Sequence, residues 1–93
     1  MSVPRLSEKD VRKRLEQRKG WERSGEAIRR CYAFADFKAA IAFVSRVAAL
    51  AEEANHHPDI LVEYNKVTLT LSTHDSGGLT ERDFALAARI DSP

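Results

Sequence analysis

The sequence predicts an α+β domain of order αββαββα, a four-stranded antiparallel sheet with helices packed on one face. Three observations carry this. Helix starts appear at Ser7, Asp36 and Thr80, each an N-cap residue ahead of an apolar stripe. Two short extended segments flank a glycine-containing turn at Ser24-Gly25-Glu26. An apolar-rich segment from Ile60 to Thr73 alternates, but changes phase midway.

In the first helix Ser7 caps, Asp10 sits at N3 as the capping-box partner, and Leu6 with Val11 forms a hydrophobic staple. Val11 and Leu15 share one stripe among basic residues, and Lys19-Gly20 ends the helix. Trp21-Glu-Arg and Ala27 to Phe34 then read as a hairpin, although Arg30 shares parity with Ile28, Tyr32 and Phe34. Asp36 caps a long helix from Phe37 to about Asn55. Its stripes, Phe37-Ile41-Val44-Ala48-Ala51 and Ala40-Phe43-Val47-Leu50, form a wide arc that predicts burial against the sheet and against a partner helix. Pro58 stops this helix and biases His57 toward an extended backbone.

In the next segment Val62 and Tyr64 are even, whereas Val67, Leu69 and Leu71 are odd. A tight turn or bulge at Asn65-Lys66 accounts for the flip, with Asn65 taking the left-handed backbone. A loop at Asp75-Ser-Gly-Gly78 leads to the last helix, where Thr80 caps, Asp83 occupies N3 and Leu79 staples to Phe84.

Composition narrows the function classes. A chain of 93 residues suits one domain, residues 1–93, and its modest core makes self-association useful. Fifteen basic against fourteen acidic residues give a net charge of +1, so neither nucleic acid nor an anionic membrane is implied. The single Cys31 excludes an intramolecular disulfide and fits a reducing compartment. No apolar run nears the ~20 residues of a membrane span, and the N-terminus lacks a signal peptide's apolar stretch. A soluble cytoplasmic domain is expected.

The informative stretch is Glu52-Glu-Ala-Asn55-His56-His57-Pro58, followed by Tyr64 and His74. All three histidines fall in or beside two adjoining element ends. Glu52 and His56, spaced i,i+4, are expected on one helical face, and Pro58 turns His57 onto another line. Imidazole suits proton transfer near neutrality. A capped, solvated helix end is the structural alternative for Glu52, Glu53 and the histidines. Zinc is a third reading, disfavoured because adjacent histidines rarely converge on one ion and neither HExxH nor a cysteine pair is present. Cys31 has no histidine near it in sequence to activate it as a nucleophile. Gly77-Gly78 reads as an anion cradle or simply a loop. Trp21 and Tyr64 read as core or hairpin residues, or as stacking surfaces for a flat ring. Asp83 is explained by its cap, with a second role left open.

The pattern Glu52-x3-His56-His57-Pro58-x5-Tyr64-x9-His74-x8-Asp83 resembles the pterin-4a-carbinolamine dehydratase signature at each fixed position. Gly20-Trp21, Phe34-x-x-Phe37, Arg46-Val47-Ala48, Val62-x-Tyr64-Asn65-Lys66-Val67, Leu71-Ser72-Thr73-His74 and Gly78-Leu79-Thr80 extend the likeness to roughly residues 5–91. The resemblance implies dehydration of 4a-hydroxytetrahydropterin to quinonoid dihydropterin, supporting tetrahydropterin recycling, with no metal and no organic cofactor. It also implies a cytoplasmic homodimer or homotetramer. Carried over by position, His56 and His74 are the leading acid/base residues, His57 assists, and Glu52 orients the i,i+4 histidine or meets the pterin edge. Asn55, Pro58, Ser72, Thr73, Asp75 and Asp83 fall at substrate-binding positions. Animal members often carry an aromatic residue where this chain has Asp59-Ile60-Leu61, a departure that removes a ring contact. The rival expectations are a dehydratase-like protein of another pterin pathway, such as that of molybdopterin, and a non-catalytic protein-binding module.

Overall fold

The computed structural model describes residues 3–92; residues 1, 2 and 93 of the expected domain lie outside the described residues. Its elements follow the expected order: α1 (Glu8–Gln17), β1 (Glu22–Ser24), β2 (Ala27–Ala33), α2 (Phe37–Ala54), β3 (Asp59–Glu63), β4 (Lys66–Leu71) and α3 (Glu81–Asp91). A short 3-10 turn, His74–Ser76, interrupts the loop before α3. The four strands form one antiparallel sheet in the order β1-β2-β4-β3.

The caps act where the sequence puts them. Ser7 accepts from the Asp10 N–H at 3.2 Å, and Asp36 accepts from Ala39 at 2.8 Å. Thr80 and Asp83 make both halves of a capping box. α1 stops at Gln17, earlier than expected, and Arg18 donates its backbone N–H to Leu15 O. Gly20 takes φ +93°, and a Cβ there would stand 2.7 Å from the Arg30 guanidinium carbon. The glycine thus serves the turn into β1 and lets Arg30 lie across it.

Arg30 resolves the irregular parity of β2. Its guanidinium sits 4.6 Å from the Tyr32 ring centroid and 3.1 Å from Asp91 Oδ2. Asp91 also accepts from Trp21 Nε1 at 2.7 Å and from Tyr32 Oη at 2.6 Å. An inward-facing arginine is therefore paired and stacked rather than buried alone. Burial, followed by the Asp91 hydrogen bond, raises the Tyr32 phenol well above its ordinary pKa.

Ile28, Val67, Leu69 and Leu71 line the covered face of the sheet, against Val47, Ala40 and Ala51 of α2 and Phe84, Leu86, Ala87 and Ile90 of α3. Arg46 of α2 donates to Ile90 O at 2.8 Å and Ser92 O at 2.5 Å, tying down the end of α3. Among the described residues none covers the opposite face of α2 in this way: Phe37 is 51% exposed and Ile41 38%.

A two-residue turn, Tyr64-Asn65, joins β3 to β4 and flips the parity as expected. The left-handed residue is Tyr64, with φ 54°, not Asn65. Asn65 is used otherwise: its side chain donates to Phe34 O at 2.9 Å, and its carbonyl accepts from Phe34 N–H at 2.8 Å, stitching the turn to the end of β2. The N-terminal segment crosses the loop before α3, where Leu6 N–H donates to Leu79 O at 2.8 Å and Ser76 Oγ donates to Val3 O.

Candidate active site

α2 ends in a left-handed residue, Asn55, at φ 50° and ψ 45°. Its N–H donates to Glu52 O at 3.2 Å, while the His56 N–H reaches Ala51 O at 3.0 Å. These paired bonds form a Schellman turn, which satisfies the last carbonyls and reverses the chain. Arg82 of α3 adds a clamp, donating to Asn55 O at 2.6 Å.

That reversal corrects the expectation for Glu52 and His56. His56 lies beyond the helix, so the i,i+4 rule does not reach it. The partner of Glu52 is His57, whose Nε2 stands 2.5 Å from Glu52 Oε2. This pair is solvent-facing, with side chains 57% and 77% exposed. His56 turns inward instead, 8% exposed, and its Nε2 lies 2.6 Å from Asp83 Oδ1.

Asp83 is fully buried and holds several groups at once. Its Oδ2 accepts the Thr80 N–H at 2.9 Å and the Thr73 hydroxyl at 2.8 Å. The Thr80 hydroxyl, which accepts from Arg82 N–H at 3.2 Å, donates in turn to Thr73 Oγ1 at 2.8 Å. With Thr80 N–H and the Thr73 hydroxyl both donating to Asp83, the carboxylate accepts the ring N–H of His56 at Nε2, which leaves Nδ1 without that hydrogen in the neutral ring. The helix cap and the histidine clasp are thus two uses of one side chain.

His74 arrives from the other side, on the 3-10 turn that follows β4. Thr73 and Gly78 close that turn through bonds of 3.0 and 3.3 Å, and Gly77 takes the φ of +73° that ends it. The Gly77-Gly78 pair therefore serves loop closure.

Two adjoining hollows result. One, of about 230 Å³, is lined by Asn55, His56, His57, Ser72, Thr73, His74, Asp75 and Arg82. The other, of about 340 Å³, shares His57, Ser72 and His74 with it and continues to Glu26 and Asp59. Of the expected site residues, Asn55, the three histidines, Ser72, Thr73 and Asp75 come together in the smaller hollow. Glu52 and Asp83 touch it through the histidines they hold, and Pro58, between His57 and β3, lines neither hollow. Neither Trp21 nor Tyr64 lines these hollows: Trp21 is a core residue, 5% exposed, and Tyr64 is 68% exposed at its turn. Sequence reasoning missed Arg82, whose one signal was a basic residue in the first turn of α3. Among the described residues no group of three or more histidine, cysteine, aspartate or glutamate side chains is placed to hold a metal ion, and no helix is long and apolar enough to cross a membrane.

Residues 4–93 match the family described as pterin 4 alpha carbinolamine dehydratase. A Chloroflexus aurantiacus protein named "Putative pterin-4-alpha-carbinolamine dehydratase" is 57% identical over 89 residues, covering 96% of each chain. A protein of the same name from Sulfurisphaera tokodaii is 45% identical over 89 residues, again covering 96% of each. Among solved structures, a transcriptional coactivator/pterin dehydratase from Brucella melitensis superposes with a TM-score of 0.90 at 37% identity, covering 94% of this chain and 95% of that one. A pterin dehydratase-like protein identified as a RuBisCO assembly factor in the alpha-carboxysome gives a TM-score of 0.66 at 32% identity, covering 77% and 86%.

Proposed function

Since the chain belongs to the pterin 4 alpha carbinolamine dehydratase family, we propose that it dehydrates 4a-hydroxytetrahydropterin by histidine acid/base catalysis. The observation that carries this reading is the placement of all three histidines around one cleft, with His57 and His74 on the wall shared by its two hollows.

The elimination breaks the C4a–O bond and forms a C=N bond to the neighbouring ring nitrogen. One imidazolium gives its proton to the departing hydroxyl, and one neutral imidazole takes the ring N–H. In this reading His57 and His74 flank the ring, since they line both hollows, so His57 takes the leading place that the resemblance gave to His56. His56, buried and clasped by Asp83, serves the smaller hollow. Glu52 orients His57. Asn55, Ser72, Thr73 and Asp75 offer hydrogen bonds to the pterin edge, and Pro58 holds the backbone of His57 extended. The acid ends a turnover neutral and the base ends it charged, so no net proton is consumed. A proton passing between the two exposed histidines, directly or through water, resets the site. This chemistry calls for no metal or organic cofactor and would serve tetrahydropterin recycling.

The chain is read as a cytoplasmic homodimer or homotetramer. Exposed Cys31 suits a reducing compartment, and Phe37 and Ile41 on the bare face of α2 suit a helix of a second copy.

Stopped-flow measurement with chemically generated 4a-hydroxytetrahydropterin tests the proposal. Dehydration should exceed the buffer rate, and His57→Ala and His74→Ala should each lose about 100-fold, the usual size of a general acid or base contribution. No acceleration by the unmodified protein would overturn the enzyme reading and leave a binding module. Acceleration only with another class of pterin would favour the pathway alternative.

A further inference from the structure

The three histidines are held in different ways. Asp83 clasps His56, and Glu52 pairs with His57. Among the described residues His74 has no side-chain partner of this kind, so the place of its ring depends on the turn that carries it. That turn is fixed from within by the Thr73–Gly78 bridge and by the Ser76 N–H, which donates to Thr73 O at 3.0 Å. Further support comes from the other end of the chain.

Residues 3–6 cross this turn and hold it at three points. Ser76 Oγ donates to Val3 O, and Leu6 N–H donates to Leu79 O at 2.8 Å. Between them Arg5 Nη2 meets Glu26 Oε2 at 2.5 Å, and the Glu26 carbonyl accepts from Ser72 Oγ at 2.8 Å. This ion pair lies over Gly78, where a Cβ would stand 2.6 Å from Glu26 Oε2 and 2.8 Å from Arg5 Nε. Gly77 needs glycine for its positive φ, but Gly78 has no such backbone. Its missing side chain makes room for the ion pair.

The segment is itself anchored. Ser7, the next residue, caps α1, buried Val11 ties that helix into the core, and Glu8 pairs with Arg23. A short strap therefore runs from a fixed helix to the turn that bears His74, and no residue of it lines either hollow. Stability does not account for it: the Arg5 and Glu26 side chains are 50% and 53% exposed, and exposed pairs add little.

We propose that residues 3–6 are a positioning strap for His74, holding the His74–Ser76 turn so that the imidazole stays at the cleft. The contacts reach the chain on both sides of His74, at Ser72 through Glu26 and at Ser76 directly, so slack in the strap passes to that ring. A misplacement of about 1 Å is enough to slow a proton transfer severely. This inference rests on the proposed dehydratase role of His74.

The test uses Arg5→Ala, which removes the ion pair, and Ser76→Ala, which removes an uncharged strap contact, each alone and with His74→Ala. Each strap variant should lose about tenfold in kcat while KM changes by less than about twofold, the mark of a misplaced acid or base rather than of lost binding. Melting temperatures should fall by no more than about 5 °C, the scale of an exposed pair in a chain this size. In the His74→Ala background the same substitutions should cost nothing further, because their effect runs through the missing ring. Side-chain NMR of the histidines gives a readout that needs no turnover. The His74 ring signals, assigned by their loss in His74→Ala, should shift in both strap variants while those of His56 stay in place. Losses that add fully to that of His74→Ala, or unmoved His74 signals, would overturn the strap. A loss in Arg5→Ala with none in Ser76→Ala would overturn it in favour of a charge effect of Arg5. Absence of dehydration by the unmodified protein would overturn the underlying reading alone, and the ring signals would still decide the strap.

Discussion

Asp83 clasps His56 at 2.6 Å with one carboxylate oxygen and starts α3 with the other, through the Thr80 N–H at 2.9 Å. Stability and site geometry meet in this one buried side chain. Asp83→Ala should cost about 3 kcal/mol, because it strands the Thr80 N–H, the Thr73 hydroxyl and the His56 ring without partners. Asp83→Asn should cost less stability, since its amide oxygen still accepts. Its NH2 cannot accept from His56, so the ring takes the other tautomer and turnover falls by more than stability does. Denaturant unfolding beside stopped-flow rates checks the split. Equal losses in both variants would make Asp83 only a cap.

Glu52 should behave in the opposite way. Its pair with His57 is open to solvent, and exposed ion pairs add little to stability. Glu52→Gln should leave the melting temperature unchanged within error while lowering turnover by about tenfold, the effect of losing one charge-assisted hydrogen bond. A lower melting temperature with an unchanged rate would refute the orienting role.

The Schellman turn predicts a glycine rescue. Asn55→Ala places a Cβ in the left-handed region and should destabilise by about 1 kcal/mol, whereas Asn55→Gly should stay near the unmodified protein. If Asn55 also meets the pterin edge, the glycine variant will hold its stability and raise KM. Calorimetry and steady-state kinetics read the two effects separately.

Tyr32 sets an alkaline limit. Burial and then Asp91 raise its folded-state pKa, so its contribution is fully present below the unfolded value of about 10 and is lost as pH rises above it. Unfolding free energy should therefore begin to fall near about pH 10 and keep falling as pH climbs toward the raised folded-state value. Tyr32→Phe should be less stable at pH 8, having lost the Asp91 hydrogen bond, but should show a shallower alkaline decline. An equally steep decline in the variant would assign the effect to other groups.

Most of the fold was legible because its signals are local. Ser7, Asp36 and Thr80 cap the helices they precede, and the parity flip before Val67 marks the hairpin turn. The αββαββα order needed nothing further. The site was legible as a set of residues but not as a set of pairs. The i,i+4 spacing pairs Glu52 with His56 only if the helix runs on, and it ends at Ala54. Asn55, a common residue at left-handed helix ends, was the signal that the count should stop there. Tyr64 in place of Asn65 at the positive φ shows a hairpin register overriding residue preference. Arg30 looked like a broken strand pattern because its partner, Asp91, lies 61 residues away, beyond any local rule.

The turn at Asn55 also sets how freely the site can drift. His56 and His57 are neighbours in the chain, yet one depends on a buried residue that α3 needs in order to begin, and the other on a glutamate at the surface. Substitutions around Glu52 can retune His57 without touching the core, whereas changes at Asp83, the isosteric asparagine apart, strike the fold together with the chemistry. A saturation-mutagenesis map should therefore be lopsided, with a permissive flank at Glu52 and an intolerant one at Asp83. Selection for a new pterin would find its first workable steps on the permissive side.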